Sequence, residues 1–97
     1  MNHINFRDLR YLVAVADHQH FGRASAACYV SQPTLSTQIK KLEAYLEVQL
    51  VERTSKRVLV TPIGRMLFCR ALQILKAVSA LVSVARAAGD PMSGDLR

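Results

Sequence analysis

Ser31-Gln32-Pro33-Thr34 opens a run in which polar side chains recur on one face of a candidate helix. Ser31 is a good N-cap, and proline is tolerated in the first helical turn because its missing N–H has no helical partner there. Leu35, Ile39, Leu42 and Leu46 follow at helical spacing and predict a buried stripe. The opposite face offers Gln32, Thr34, Ser36, Thr37, Lys40 and Lys41. Base edges are read by groups that both donate and accept hydrogen bonds, or that press a methyl on thymine. Gln32 and Ser36 suit the first task, and the Thr34 methyl suits the second. Lys40 and Lys41 suit phosphates, which give affinity without sequence information. A plain solvated helix face has the same periodicity, so the neighbouring elements must decide between the two.

Just before this helix, Arg23-Ala24-Ser25-Ala26-Ala27-Cys28-Tyr29 predicts a short helix whose small residues let another helix cross closely, as a helix-turn-helix requires. Together with the Ser-Gln-Pro start it favours nucleic acid. Upstream, Asn5 is a fair N-cap with Asp8 favouring the positive helix end, and Phe6, Leu9, Leu12, Val13 and Ala16 share one helical face. That helix should stop around His18 to His20, with Phe21 turning back to the core.

Downstream, Leu50-Val51-Glu52-Arg53 and Val58-Leu59-Val60 read as the strands of a small hairpin, joined by Thr54-Ser55-Lys56-Arg57. Lys56 and Arg57 at its tip are ordinary exposed charges by themselves. Attached to a helix-turn-helix, a basic wing can lie along or inside a minor groove, where the negative potential is strong. Arg53 either ties the hairpin to the helices or touches phosphate.

Thr61-Pro62 is a strong start signal for a last helix, which continues to about Ala88 before Gly89-Asp90-Pro91. Leu67, Ala71, Ile74, Leu75, Val78, Leu81, Val82 and Ala85 form a broad apolar stripe along it. So small a domain leaves that stripe uncovered, and a second copy in a two-fold dimer would cover it. The alternative is a membrane-surface helix with Arg65, Arg70, Lys76 and Arg86 as its polar face, which is thin and lacks Trp.

Composition bounds these readings. Ninety-seven residues make one small domain with an appendage, and 51% hydrophobic residues suffice for a core. Thirteen Lys and Arg against seven Asp and Glu give a formal charge of +6, which points to a polyanionic partner, nucleic acid first and an anionic membrane surface second. Catalysis is not expected: no Gly-rich phosphate loop, paired carboxylates or supported Cys–His pair occurs. Cys28 and Cys69 match no zinc spacing and read as apolar-face residues, so neither a metal nor a cofactor is expected. The start lacks a signal-peptide pattern, and the charges along the last helix speak against a membrane span, so a cytoplasmic location is expected.

The stretch from Ala26 to Ser36, with Gln38-Ile39, Lys41-Leu42-Glu43, Glu52-Arg53-Thr54 and Thr61-Pro62-Ile63-Gly64, resembles the LysR-type transcriptional regulators over the whole chain from Phe6 onward. His20-Phe21, the run from Val30 to Ser36 and the run from Glu52 to Lys56 look most like the peroxide-sensing subfamily; a relative answering a small metabolite is the alternative. The resemblance implies a mainly α fold: a winged helix-turn-helix over residues 1–60, a dimerising linker helix over 61–89, and at 90–97 the start of a connection to a C-terminal regulatory domain. It implies homodimers, tetramers of full-length subunits, binding to interrupted palindromes in promoter DNA, and contact with RNA polymerase during activation. Position by position it assigns Gln32, Pro33, Thr34, Ser36 and Thr37 to the recognition helix and Lys56 to the wing. Three positions depart from the family pattern. Glu47 stands where Gly usually closes the recognition helix, Gly22 replaces a Ser or Thr cap, and Thr37 replaces a frequent Arg.

Overall fold

The computed structural model describes residues 4–54 and 57–89. The expected contribution of Lys56 and the expected connection at 90–97 lie outside the described residues. The order is α1 (Phe6–His18), α2 (Phe21–Ala27), α3 (Gln32–Leu46), β1 (Val51–Arg53), β2 (Val58–Val60) and α4 (Pro62–Gly89). The mainly helical winged helix-turn-helix with a long last helix is therefore present.

Each helix start has a chemical cause. At α1, Asn5 and Asp8 form a capping box, each side chain taking the other's backbone N–H. Helix α2 begins two residues earlier than its sequence suggests, because the His20 imidazole caps it: Nδ1 accepts from the Arg23 N–H at 3.1 Å. Gly22 thus lies inside the first turn and is not the cap. The same helix ends at Ala27, since Tyr29 takes a left-handed conformation, φ 58°, in the turn leading to α3. Ser31 Oγ accepts from the Thr34 N–H at 3.2 Å and donates to Thr34 Oγ1 at 2.8 Å, starting α3 as expected. At its far end Glu47 closes α3 with φ 59°, a region where a side chain is strained and Gly is not.

The core lies where α1, α2 and α3 meet. Val15, Leu35, Ile39 and Leu50 are fully buried, with Leu9, Leu12, Ala24 and Leu42 around them. Each fully buried aliphatic side chain contributes about 1.5–3 kcal/mol. Small residues let α2 nest closely: Ala24 and Ser25 are buried, and the Ser25 hydroxyl donates to the Gly22 carbonyl at 2.9 Å.

The strands pair antiparallel, with Val51 opposite Val60 and Arg53 opposite Val58. Leu50, expected in the first strand, precedes it, because its N–H is taken by the Glu43 carboxylate rather than by a strand partner. Thr61 then links wing to α4. Its Oγ1 donates to the Gln49 carbonyl at 2.6 Å and accepts from the Gly64 N–H at 2.9 Å. A Cβ on Gly64 would collide with the Leu50 carbonyl oxygen, so only glycine allows this approach.

Helix α4, at about 1.5 Å per residue, is on the order of 40 Å long. Its apolar stripe divides in two. Ala71 is buried, and Leu67 and Leu75 pack beside it on the core that α1 completes, so this part is covered by the chain itself. Ile74, Leu81, Val82 and Ala85 stay exposed, with Val78 half-buried. The expectation that the whole stripe awaits a partner is thereby corrected for its first half. Two further expectations change: Cys69 is exposed rather than core, and α4 is long and apolar enough, by length and composition, to cross a membrane despite its charges.

Candidate nucleic-acid interface

Helix α3 presents its candidate residues as the periodicity requires. Leu35, Ile39 and Leu42 face the core, while Gln32, Pro33, Thr34, Thr37, Lys40 and Lys41 are exposed and Ser36 is half-buried. Gln32, Ser36 and Lys40 follow one another four residues apart and form one row along the helix. Thr34 Oγ1 accepts from the Ser31 hydroxyl in the cap, which leaves its methyl and its own hydroxyl hydrogen for contact.

The wing lies beside that row. Arg53, on β1, donates from NH1 to Ser36 Oγ at 2.9 Å, and its guanidinium stacks over the Phe21 ring at 4.7 Å from the centroid. Such a cation–π contact contributes on the order of 0.5–1 kcal/mol at an exposed site. Arg53 thus ties hairpin to helices, the first of its two expected roles; it remains exposed. A cleft of about 240 Å³ joins His20, Gly22, Gln32, Arg53, Thr54 and Arg57, bringing the starts of α2 and α3 to the wing. On the other side of Arg53, a second open depression is lined by Lys40, Glu43, Glu47 and Gln49.

The wing is also anchored from α1. The Val58 N–H donates to the Gln19 carbonyl at 3.4 Å, and Arg57 NH2 reaches Gln19 Oε1 at 3.5 Å. Gln19 can serve both because it closes α1 in a left-handed conformation, φ 50°. Thr54 and Arg57 pin the base of the tip: the Thr54 N–H donates to the Arg57 carbonyl at 2.9 Å, and the Arg57 N–H donates to Thr54 Oγ1 at 2.9 Å. Three residues were given no positioning role from the sequence: Gln19, His20, named there as a helix end and in the resemblance, and Glu43, which entered only through the resemblance.

Electrostatically the face is cationic, with Lys40, Lys41, Arg53 and Arg57 exposed on α3 and the wing. Away from it, Cys28 is half-buried; burial pushes its thiol up, partly opposed by Arg10. Among the described residues no cluster of metal-ligating side chains forms.

Comparison with known proteins places this geometry. Residues 6–65 match the family described as bacterial regulatory helix-turn-helix protein, lysR family. The hydrogen peroxide-inducible genes activator of Escherichia coli is 53% identical over 93 residues, covering 96% of this chain and 30% of that protein. The chain therefore spans about a third of the length of the curated relatives it matches. Among solved structures, a full-length OxyR variant from Pseudomonas aeruginosa aligns with TM-score 0.86 and 41% identity over 91% of this chain and 30% of that one. The BenM DNA-binding domain in complex with benA site 1 DNA aligns with TM-score 0.85 and 38% identity, over 91% of this chain and 99% of that one. With the matched family spanning the helix-turn-helix, the wing and the start of α4, the chain belongs to the lysR family of bacterial regulatory helix-turn-helix proteins.

Proposed function

We propose that this chain binds double-stranded promoter DNA sequence-specifically as a homodimer and regulates transcription of peroxide-response genes. The observation that carries the reading is one cationic face on which the first turns of α3 and the wing meet, fastened by the Arg53–Ser36 bond of 2.9 Å. A helix-turn-helix presents the N-terminal turns of its second helix to base edges in the major groove. Gln32, Pro33, Thr34, Ser36 and Thr37 occupy those turns; Lys40, Lys41 and Arg57 supply charge for phosphates, and Lys56, the residue before Arg57 in the sequence, adds another cation. Likeness to a DNA-bound BenM domain supports the docking.

The exposed outer part of the α4 stripe, from Ile74 to Ala85, supports dimerisation. Two copies joined there present two reading heads, which suits an interrupted palindrome. Peroxide response follows from the hydrogen peroxide-inducible activators among the relatives. Assembly of full-length subunits into tetramers, contact with RNA polymerase, a cytoplasmic location and the absence of catalysis complete the reading, on family resemblance.

The test is a titration of the purified chain against labelled duplex DNA and against anionic vesicles, with its mass measured at micromolar concentration. Binding to duplex with a steep salt dependence and a dimeric mass are expected. Flotation with vesicles and no duplex binding would instead make α4 a membrane-surface helix.

A further inference from the structure

We propose that Ser36 faces the bound duplex as a hydrogen-bond donor, so that it selects an acceptor atom there, and that Arg53 biases it to this polarity. The inference rests on the DNA-binding reading above and adds which edge is read.

A serine hydroxyl carries one hydrogen and two lone pairs, and by rotating it serves as donor or acceptor. Arginine only donates. With Arg53 NH1 2.9 Å from Ser36 Oγ, the oxygen accepts from the guanidinium and its own hydrogen must point elsewhere. Helical serines often return that hydrogen to the carbonyl four residues back. Among the described residues Ser36 forms no such bond, and Ser36 Oγ donates to none of them. The hydrogen is therefore available on a half-buried side chain in the row that Gln32 begins.

The cation does two things. It polarises the hydroxyl, strengthening it as a donor. It also takes one of the two lone pairs, and its positive charge disfavours a second, partly positive N–H donor at the other. Phe21, stacked under the guanidinium at 4.7 Å, holds Arg53 in this position. In the major groove the acceptors are purine N7, guanine O6 and thymine O4, while the cytosine and adenine amino groups are donors. A phosphate oxygen is an acceptor as well. Ser36 is thus matched to an acceptor, whether purine N7, guanine O6, thymine O4 or a phosphate oxygen, and mismatched to the cytosine and adenine amino groups. Arg53 is a positioning residue here, acting through Ser36.

The experiment takes the duplex that the chain enriches from a random pool. One arm replaces single bases by analogues lacking one acceptor: 7-deazapurines for N7, 2-aminopurine for guanine O6 and 5-methyl-2-pyrimidinone for thymine O4. The other replaces single phosphates by methylphosphonates. Both are titrated with the parent chain, Ser36→Ala and Arg53→Met. At one replaced acceptor the parent should lose about fivefold in affinity, the worth of one hydrogen bond. Ser36→Ala should be insensitive to that same replacement. With Arg53→Met the sensitivity there should shrink while that at the base read by Gln32 stays, a pattern that general loss of structure would not give. Should Arg53→Met fail to fold, the cycle between Ser36→Ala and the replaced atoms still decides. Equal sensitivity of parent and Ser36→Ala at every replaced atom, or a Ser36-dependent preference for cytosine, overturns the proposal. If no sequence is enriched at all, the DNA-binding reading itself has failed.

Discussion

The Glu43 carboxylate on α3 accepts the Leu50 N–H at 2.8 Å, and the adjoining Val51 N–H at 3.3 Å, so the candidate recognition helix itself sets where the wing begins. Hydrogen bonds to a charged acceptor contribute about 1.5–3 kcal/mol, and a half-buried N–H left without one is costly. Glu43→Ala should lower unfolding free energy by about 2 kcal/mol in urea titration. Glu43→Gln should lose less than half of that, since an amide oxygen still accepts. Equal losses for the two variants would show that the carboxylate's charge and not its placement matters.

Glu47 closes α3 in the left-handed region at φ 59°, where the family pattern usually has Gly. Glu47→Gly should raise stability by about 0.5–1 kcal/mol, the strain relief being partly offset by the flexibility of Gly in the unfolded chain. The midpoint of denaturation should rise with an unchanged slope.

Leu81 is 70% exposed on the outer half of α4, whereas Ala71 is 2% exposed in the core. Leu81→Asp should therefore convert a dimer to a monomer in sedimentation while leaving helix content and the melting transition of the core intact. Ala71→Asp should instead unfold the chain, because an unpaired charge would be buried. A Leu81→Asp chain that stays dimeric would place the interface elsewhere.

Lys40 lies exposed on the row that runs from Gln32 past the wing. Lys40→Ala should weaken binding to all duplexes alike and reduce the slope of log affinity against log salt by about one. An unchanged slope would remove Lys40 from the phosphate contacts.

The elements governed by neighbours in sequence were legible in the chain. Asn5 with Asp8, Ser31 ahead of Gln32-Pro33, and Thr61 ahead of Pro62 are caps whose chemistry is complete within three residues. Helix α2 was misplaced because its cap is an imidazole nitrogen, which propensity does not suggest. Glu43 serves N–H groups seven and eight residues away, and Gln19 serves the wing nearly forty positions on, so neither role leaves a periodic signal. The α4 stripe shows the same boundary: spacing reveals that Leu67, Ala71 and Leu75 face something apolar, but not that α1 is what they face. At the interface, residue types picked out the α3 face, while the Arg53–Ser36 bond needed two elements brought together.

Selection of bound duplexes from a random pool, run in parallel with the parent chain and Gln32→Ala, asks whether α3 reads bases. The parent chain should enrich two inverted half-sites at a fixed spacing, reflecting a two-fold dimer. With Gln32→Ala one base position per half-site should lose its preference, and specific affinity should fall by about 1–3 kcal/mol. A pool that shows no enrichment after repeated rounds, or that loses affinity equally on selected and random duplexes with Gln32→Ala, would contradict base readout by α3.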